Sequence, residues 1–245
     1  RWSGEHSSVE ALALLEAGAD LIDIGGESTR PGATPVSDDA EIARVVPVIA
    51  SLRARTGAPI SIDTMKPSVA KAAAAAGATI WNDVRALGAP GAVEAAASLG
   101  LPVILMHMRG EPRTMQQAPH YDDVVTEVAA FLAARAHAAK AAGVADIWVD
   151  PGLGFGKTLA HNLALLAGLS RLKAETGCPV LIGASRKSMI EKIEGAPSRP
   201  EERIGGSLAL ALRAAENGAD MLRVHDVRET VQTLKVWRAA AGAMR

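Results

Sequence analysis

Seven short apolar runs in this chain each stop on a polar group able to do chemistry. They are Leu21–Thr29 (LIDIGGEST), Pro59–Thr64 (PISIDT), Thr79–Val84 (TIWNDV), Pro102–Met108 (PVILMHM), Ile147–Lys157 (IWVDPGLGFGK), Pro179–Ser188 (PVLIGASRKS) and Met221–Asp226 (MLRVHD). A parallel strand buried on both faces reads as a continuous Val/Ile/Leu run. A carboxylate, Lys or His at the end of such a run costs several kcal/mol if buried unpaired. Asp23, Thr29, Arg30, Asp63, Asn82, His107, Asp150, Lys187, Arg223 and His225 stand at these ends. Strand ends converging on one active site account for all of them together.

Helical patterns lie between the runs. Asp39–Thr56 places Ile42, Val45, Ile49 and Leu52 on one stripe, and Asp122–Ala142 does so with Val124, Val125, Val128, Phe131 and Leu132. Ile204–Glu216 uses Leu208, Ala211, Leu212 and Ala215, and Asp226–Ala241 uses Val227, Val231, Leu234 and Trp237. Spacings of three and four residues predict amphipathic helices. The patterns end on Gly-centred punctuation (EAGAD, RTGAP, AAGAT, SLGLP, AAGVAD, ETGCP, ENGAD), a left-handed C-cap just before the next strand. Helix, Gly, strand, repeated, is a βα repeat with right-handed crossovers.

An open doubly wound sheet would concentrate chemistry at one switch point. A polar group on every strand end favours a barrel, whose sites gather residues from many strands at the C-terminal face. The fold class expected is therefore α/β, a (β/α)8 TIM barrel, with residues 1–245 as a single domain because no composition shift marks a boundary. An eight-stranded barrel is one strand longer than the seven runs. Residues 1–8 are too polar for a strand and Leu12–Ala17 reads as the helix after one, so the first strand is expected to precede residue 1. Three irregular Pro/Gly-rich stretches stand out: 25–38, 109–121 and 194–202. The first two follow strands, as candidate lids on the catalytic face.

Aromatics are only 3% of the 245 residues against 49% hydrophobic, so Ala, Val, Leu and Ile must fill the core. A net charge of −1 without a long basic block argues against a nucleic-acid groove. No apolar stretch is long enough to span a membrane. Cys178, the sole cysteine, rules out an intrachain disulfide, suits a reducing cytosol and is expected to be buried filler. The start, RWSGEHSS, has no signal-peptide core.

GESTRPGA (26–33) crowds Ser28, Thr29 and Arg30 together, as anion binding requires, though a turn with a solvated Arg would read the same. DPGLGFGKT (150–158) is not a nucleotide phosphate loop, since the first Gly of that pattern falls on Pro151. Its glycines can let backbone pass close to a flat ligand, with Phe155 against it. GASRKS (183–188) presents Arg186 and Lys187; the lysine is a Schiff-base candidate or a hydrogen-bond donor, or the loop simply faces water. Arg223 and His225, two apart, share one strand face and suggest an oxyanion or phosphate pocket. Asp23, Asp63, Asn82 and Asp150, on four strands, can read the N–H edge of a heterocycle or hold a metal. Without an HExxH or Cys/His cluster a zinc site is not expected. His6, His120, His137 and His161 are expected at the surface.

Taken in order, DIGGESTRPGA, SIDT, NDV, DPGLGFGK, GASRKS and RVHD resemble the dihydropteroate synthase family over nearly the whole chain. The resemblance implies a pterin-binding TIM barrel that joins p-aminobenzoate to 6-hydroxymethyl-7,8-dihydropterin pyrophosphate in folate synthesis. It implies that Asp63, Asn82, Asp150 and Lys187 hold the pterin, with Met106 and Gly183 lining its pocket. Arg30, Arg223 and His225 would bind pyrophosphate. Thr29, Pro31, Phe155, Lys187 and Ser188 would border the p-aminobenzoate site, where sulfonamides also bind. Asp63, Lys187, Arg223 and His225 would carry catalysis. The resemblance further implies Mg2+ as cofactor, with the family's Asn ligand lying before residue 1, and a cytoplasmic homodimer. The Ala-rich faces of the last two helices (Ala209, Ala211, Ala214, Ala215; 239–241) would allow close helix approach.

Two other readings stand beside it. A pterin-binding methyltransferase acting on methyltetrahydrofolate and a corrinoid shares the barrel and the Asp/Asn/Asp contacts but has no need of Arg30, Arg223 and His225. A non-catalytic pterin-binding subunit rests only on the missing strand.

Overall fold

The apolar runs become strands because they pair side by side in parallel and helices cover their outer face. A computed structural model describes residues 4–29 and 32–243. The first elements are α1 (Gly4–Glu16), β1 (Ile22–Gly25), α2 (Asp38–Arg53), β2 (Ile60–Asp63), α3 (Pro67–Ala76), β3 (Ile80–Asp83), α4 (Ala92–Leu99), β4 (Val103–Met106) and α5 (Val124–Ala141). There follow β5 (Ile147–Asp150), α6 (Leu159–Ala167), α7 (Leu169–Thr176), β6 (Leu181–Ile182), α8 (Ser188–Glu194), a 3-10 turn (Pro200–Arg203), α9 (Ile204–Glu216), β7 (Met221–Leu222) and α10 (Val227–Ala243).

Strands β1 to β5 pair in chain order in one parallel sheet, and β6 pairs with β7 in another. A parallel bridge between Val149 and Val180 joins the two sheets. Parallel strands alternating with outer helices make this an α/β fold of the TIM-barrel type. Among the described residues there are seven strands, and no ladder joins β7 to β1. The Asp23–Arg223 ion pair, 3.1 Å long, spans that side.

The main core lies between strands and helices. Ile49, Leu52, Val69, Ala73, Val128, Leu132, Leu165 and Leu172 are each 0% exposed. With few aromatics available, Trp81 is the largest fully buried side chain. Its indole N–H donates to the Thr64 carbonyl at 2.8 Å, so the ring's polar edge is satisfied inside. Cys178 is free and buried, as expected. Among the described residues no helix is long and apolar enough to cross a membrane.

The structure corrects several expectations. Helix α1 begins at Gly4, not Leu12, so residues 4–8 are helical. Phe131, assigned to the buried stripe of α5, is 37% exposed while Val128 and Leu132 are buried. The core face of α9 is Ser207, Leu210, Ala211 and Ala214; the predicted Leu208, Leu212 and Ala215 lie beside it. Ala211 and Ala214 are thus spent inside the subunit, which removes them as helix-approach residues for a second copy.

Candidate active site

Register places the polar strand ends side by side. Asp63 pairs with Asn82 across β2 and β3, and Met106 with Asp150 across β4 and β5. Thr29, Asp63, Met106, Asp150, Phe155, Gly183, Lys187, Arg223 and His225 line one cavity at these ends. All were predicted. Asn82 lies beneath, 0% exposed, and neither polar atom of its side-chain amide has a protein partner. Asp63 Oδ1 is likewise buried without one. Such orphans cost free energy that a bound polar edge repays. Burial first, and then the negative charge of Asp23, raise the Asp63 carboxyl to about 7, against the opposing pull of Arg223. Burial also raises Asp150, with Arg223 again opposing. Asp150 Oδ1 accepts from the Gly152 N–H at 2.7 Å, which fixes its rotamer.

The anion side is built by β7 and the β6 loop. Asp23 holds Arg223 Nε at 3.1 Å and leaves the buried Nη2 without a protein partner. His225 is fixed by Ser185, whose hydroxyl meets its backbone N–H at 3.3 Å and Nδ1 at 3.1 Å. Arg186, presented beside Lys187 at the end of the same run, is turned to Asp226. Its guanidinium forms two bonds of 2.6 and 3.1 Å with Asp226. This sews the β6 loop to the start of α10 and leaves Lys187 facing inward. The Lys187 ammonium lies 4.5 Å from the centre of the Phe155 ring, within cation–π range.

The β5 loop takes its shape from a lysine that sequence reasoning did not single out. Lys157 is 1% exposed, and its ammonium donates to the carbonyls of Gly152 and Phe155, each at 3.0 Å, and to His107 Nδ1 at 2.9 Å. The His107 carbonyl is a fourth, longer acceptor at 3.4 Å, so the ammonium's three donors are all taken up inside the loop. Burial, and the nearby Lys157 charge, hold His107 down to about 3, so it is neutral with Nδ1 accepting. His107 is therefore a fixed part of this loop and not a cavity-lining group. The loop's glycines meet that expectation only in part: Gly152 lines the cavity, but packing against β4 also requires glycine there. A Cβ on Gly152 would fall 2.0 Å from the His107 carbonyl and one on Gly156 2.3 Å from the Arg109 carbonyl. Two of the glycines thus let the loop press onto the exit of β4. Of the loop's glycines only Gly154 faces the Lys187 side chain, whose Cδ would lie 3.6 Å from a Cβ built there.

Ser188 is exposed at the start of α8 and does not line the cavity. Arg30 and Pro31 lie outside the described residues. Val84, Leu153 and Ser185 line the cavity without having been predicted, and Gly152, one of the glycines expected beside a ligand, lines it too. Each lies within two residues of a predicted group, so proximity in sequence was the available signal. Asp83, next to Asn82, points to the opposite side and caps the β3 turn through the Arg85 and Leu87 N–H groups at 2.7 and 3.0 Å. Among the described residues no group of three or more His, Cys, Asp or Glu side chains could hold a metal ion.

Comparison with known proteins agrees with this geometry. Residues 5–225 match the family model described as pterin binding enzyme. The dihydropteroate synthase of Escherichia coli (strain K12) is 48% identical over 247 residues, covering 98% of this chain and 86% of its own length. The structure of Xanthomonas albilineans dihydropteroate synthase with 4-aminobenzoic acid superimposes with a TM-score of 0.91 at 53% identity, covering 97% of this chain and 85% of that one. The Yersinia pestis dihydropteroate synthase in a sulfonamide drug complex gives a TM-score of 0.94 at 47% identity, covering 98% of this chain and 87% of that one.

Proposed function

The chain belongs to the pterin-binding enzyme family, among the dihydropteroate synthases, and from that premise we propose how its residues share the reaction. The enzyme condenses p-aminobenzoate with 6-hydroxymethyl-7,8-dihydropterin pyrophosphate to give 7,8-dihydropteroate and pyrophosphate. The observation that carries the assignment of roles is the orphaned polar floor of Asp63 and Asn82 set beside the Arg223–His225 pair.

Carboxylates of Asp63 and Asp150 and the Asn82 amide take the donor and acceptor edge of the pterin. Arg223 and His225, with Arg30 on the β1 loop, take the pyrophosphate. The methylene C–O bond breaks and its electron pair leaves with the pyrophosphate. Cations aimed at that developing charge are commonly the largest catalytic contribution. The remaining carbocation is delocalised into the pterin ring above the Asp63 carboxylate. The aniline nitrogen of p-aminobenzoate, a weak nucleophile, attacks after ionisation and loses its proton to solvent or to the departing pyrophosphate. Lys187 acts as a donor to the pterin and no covalent enzyme intermediate forms. Thr29, Phe155 and Lys187 border the p-aminobenzoate, with Pro31, and Ser188 stands at the outer edge of that site. Sulfonamides compete there, as the named complex of the Yersinia relative supports.

Among the described residues no three or more His, Cys, Asp or Glu side chains gather to hold a metal ion, and the roles proposed for these residues do not run through Mg2+. Our proposal is that the ion arrives on the pyrophosphate oxygens, its usual partners in phosphate sites. We also propose that residues 1–245 form one domain, that the protein works in the cytosol and that it pairs as a homodimer. The decisive experiment is a coupling assay with p-aminobenzoate and the pterin pyrophosphate, with and without Mg2+. Dihydropteroate formation is expected, and its absence under both conditions refutes the reading.

A further inference from the structure

One ammonium ties down both feet of the loop that follows β1. Lys66, three residues beyond Asp63, sends its Nζ to Glu27 Oε2 at 2.6 Å and to Glu41 Oε2 at 2.7 Å, and also to the Val36 carbonyl. Glu27 in turn accepts from the Val36 N–H at 3.4 Å. Glu27 and Val36 are the two ends of the excursion that carries Thr29 to the cavity wall. Glu41, on α2, is the fixed post: its side chain is 1% exposed, against 9% for Glu27 and 19% for Lys66. Arg44, one turn along α2, holds the Gly26 carbonyl at 2.8 Å, and a Cβ on Gly26 would fall 2.8 Å from Glu41 Cγ. The foot of the loop is therefore pressed onto α2 with no slack.

The same lysine is locked to the exit of β2. Its backbone N–H donates to Thr64 Oγ1 at 3.2 Å, and Pro67 follows it as the first residue of α3. Lys66 thus connects two walls of the cavity, the strand end bearing Asp63 and the loop bearing Thr29. Nothing in the cavity touches it directly.

We propose that Lys66 is a positioning residue of the p-aminobenzoate subsite: through Glu27, Val36 and Glu41 it sets where Thr29 stands relative to Asp63. The inference rests on the function proposed above and deepens it. Without the ammonium, Glu27 and Glu41 are left as two carboxylates with no cation between them. The Glu27 end then swings toward water, because Glu41 cannot leave the core. The pterin floor keeps its position without this contact, since Asp63 and Asn82 are held by their strand register, and Glu41 reaches Asp63 only as the weakest of the charges that raise it.

Steady-state kinetics of the full-length enzyme, with each substrate varied in turn, tests this. Lys66→Met is expected to raise the KM for p-aminobenzoate at least about tenfold and leave that for the pterin pyrophosphate within about twofold, since small misplacements of a binding group carry such penalties. Lys66→Arg, which keeps the charge, should recover part of the loss. Adding Glu27→Gln to Lys66→Met should make matters little worse, because both act through one contact. Equal rises in both KM values, or no rise for p-aminobenzoate, overturn the inference while leaving the proposed function intact. Wild-type enzyme that forms no dihydropteroate overturns both. If Lys66→Met does not fold, Glu27→Gln alone decides: a selective rise for p-aminobenzoate supports the inference, and an unchanged value sinks it.

Discussion

The Asp23 carboxylate holds the Arg223 guanidinium at 3.1 Å across the side of the barrel where β7 and β1 share no ladder among the described residues. One carboxylate thereby does two jobs. It orients a cation whose remaining buried nitrogen, Nη2, is available to an oxyanion. It also pushes Asp63 toward its neutral form. Near pH 7 part of the Asp63 population is protonated, and that part must ionise before both carboxyl oxygens can accept from a pterin N–H edge.

This fixes a pH dependence. With the Asp63 carboxyl near about 7, kcat/KM should fall as pH drops through that value, because the free enzyme's essential group becomes protonated. Asp23→Asn removes a charge that raises Asp63, so the acid limb should move to lower pH even as pyrophosphate binding weakens. A pH–rate profile of both proteins checks this. An acid limb that stays in place would separate Asp63 from the observed titration.

Asp63→Asn should keep the fold and lose most turnover, since an amide cannot stabilise a ring cation. Removing one preorganised electrostatic group typically costs about 3–4 kcal/mol of barrier. The stability effect has the opposite sign. A carboxyl raised in the folded state contributes stability that is present below its unfolded value and is lost as pH rises through about 7. The ligand-free variant should therefore melt higher than wild type at pH 8, and the gap should close at pH 4. Near-normal kcat, or no pH-dependent gap in melting, would count against the role given to Asp63.

The order of strands, and which strand ends carry chemistry, were legible because period and polarity are local. Asp63, Asp150, Lys187, Arg223 and His225 each end an apolar run, and each lines the cavity. What a run does not reveal is the direction in which the chain leaves the strand. His107 ends a run as clearly as Asp63 does, yet the β4 exit turns its ring into the Lys157 cage. Arg186 and Lys187 are adjacent, and a left-handed residue at Arg186 (φ 58°) sends one to Asp226 and the other over Phe155. The α9 stripe was misjudged because Ala and Leu crowd most of that helix and its exposed charged pair, Arg213 and Glu216, comes only in the last turns. Lys66, Glu27 and Glu41 lie far apart in sequence, and only the fold reveals that they meet.

Lys187 distinguishes two chemistries. A Schiff-base lysine needs a carbonyl partner and a neutral amine, whereas a cation seated 4.5 Å from the Phe155 ring is stabilised as the ammonium. Borohydride treatment with pterin substrate should leave Lys187 unmodified in mass spectra. Lys187→Arg should weaken pterin binding, because a planar guanidinium does not replace a compact ammonium over Gly154. A reduced adduct on Lys187 would move the enzyme to an aldolase-like class.

Coupling between the anion and p-aminobenzoate sites follows from how each is held. Arg223 is braced by Asp23 and His225 by Ser185, so the anion pocket stands preformed. Thr29 instead sits on a loop anchored at its feet by Glu27 and Val36, and Ser28, Gly32, Thr34 and Pro35 between them are exposed. If pyrophosphate occupies that pocket, its charge is expected to draw in the donors of the Thr29 loop before p-aminobenzoate arrives. Binding should therefore be ordered, and a sulfonamide should bind at least about fivefold tighter with pyrophosphate present, within the usual range of coupling between sites. Linkage requires that pyrophosphate gain the same factor from the sulfonamide. Arg223→Ala should weaken pyrophosphate binding and shrink both gains together. Calorimetry in all four combinations measures this directly. Equal sulfonamide affinity with and without pyrophosphate in the wild-type protein would show that the loop is already set by its anchors, and that the anion site acts on the leaving group alone.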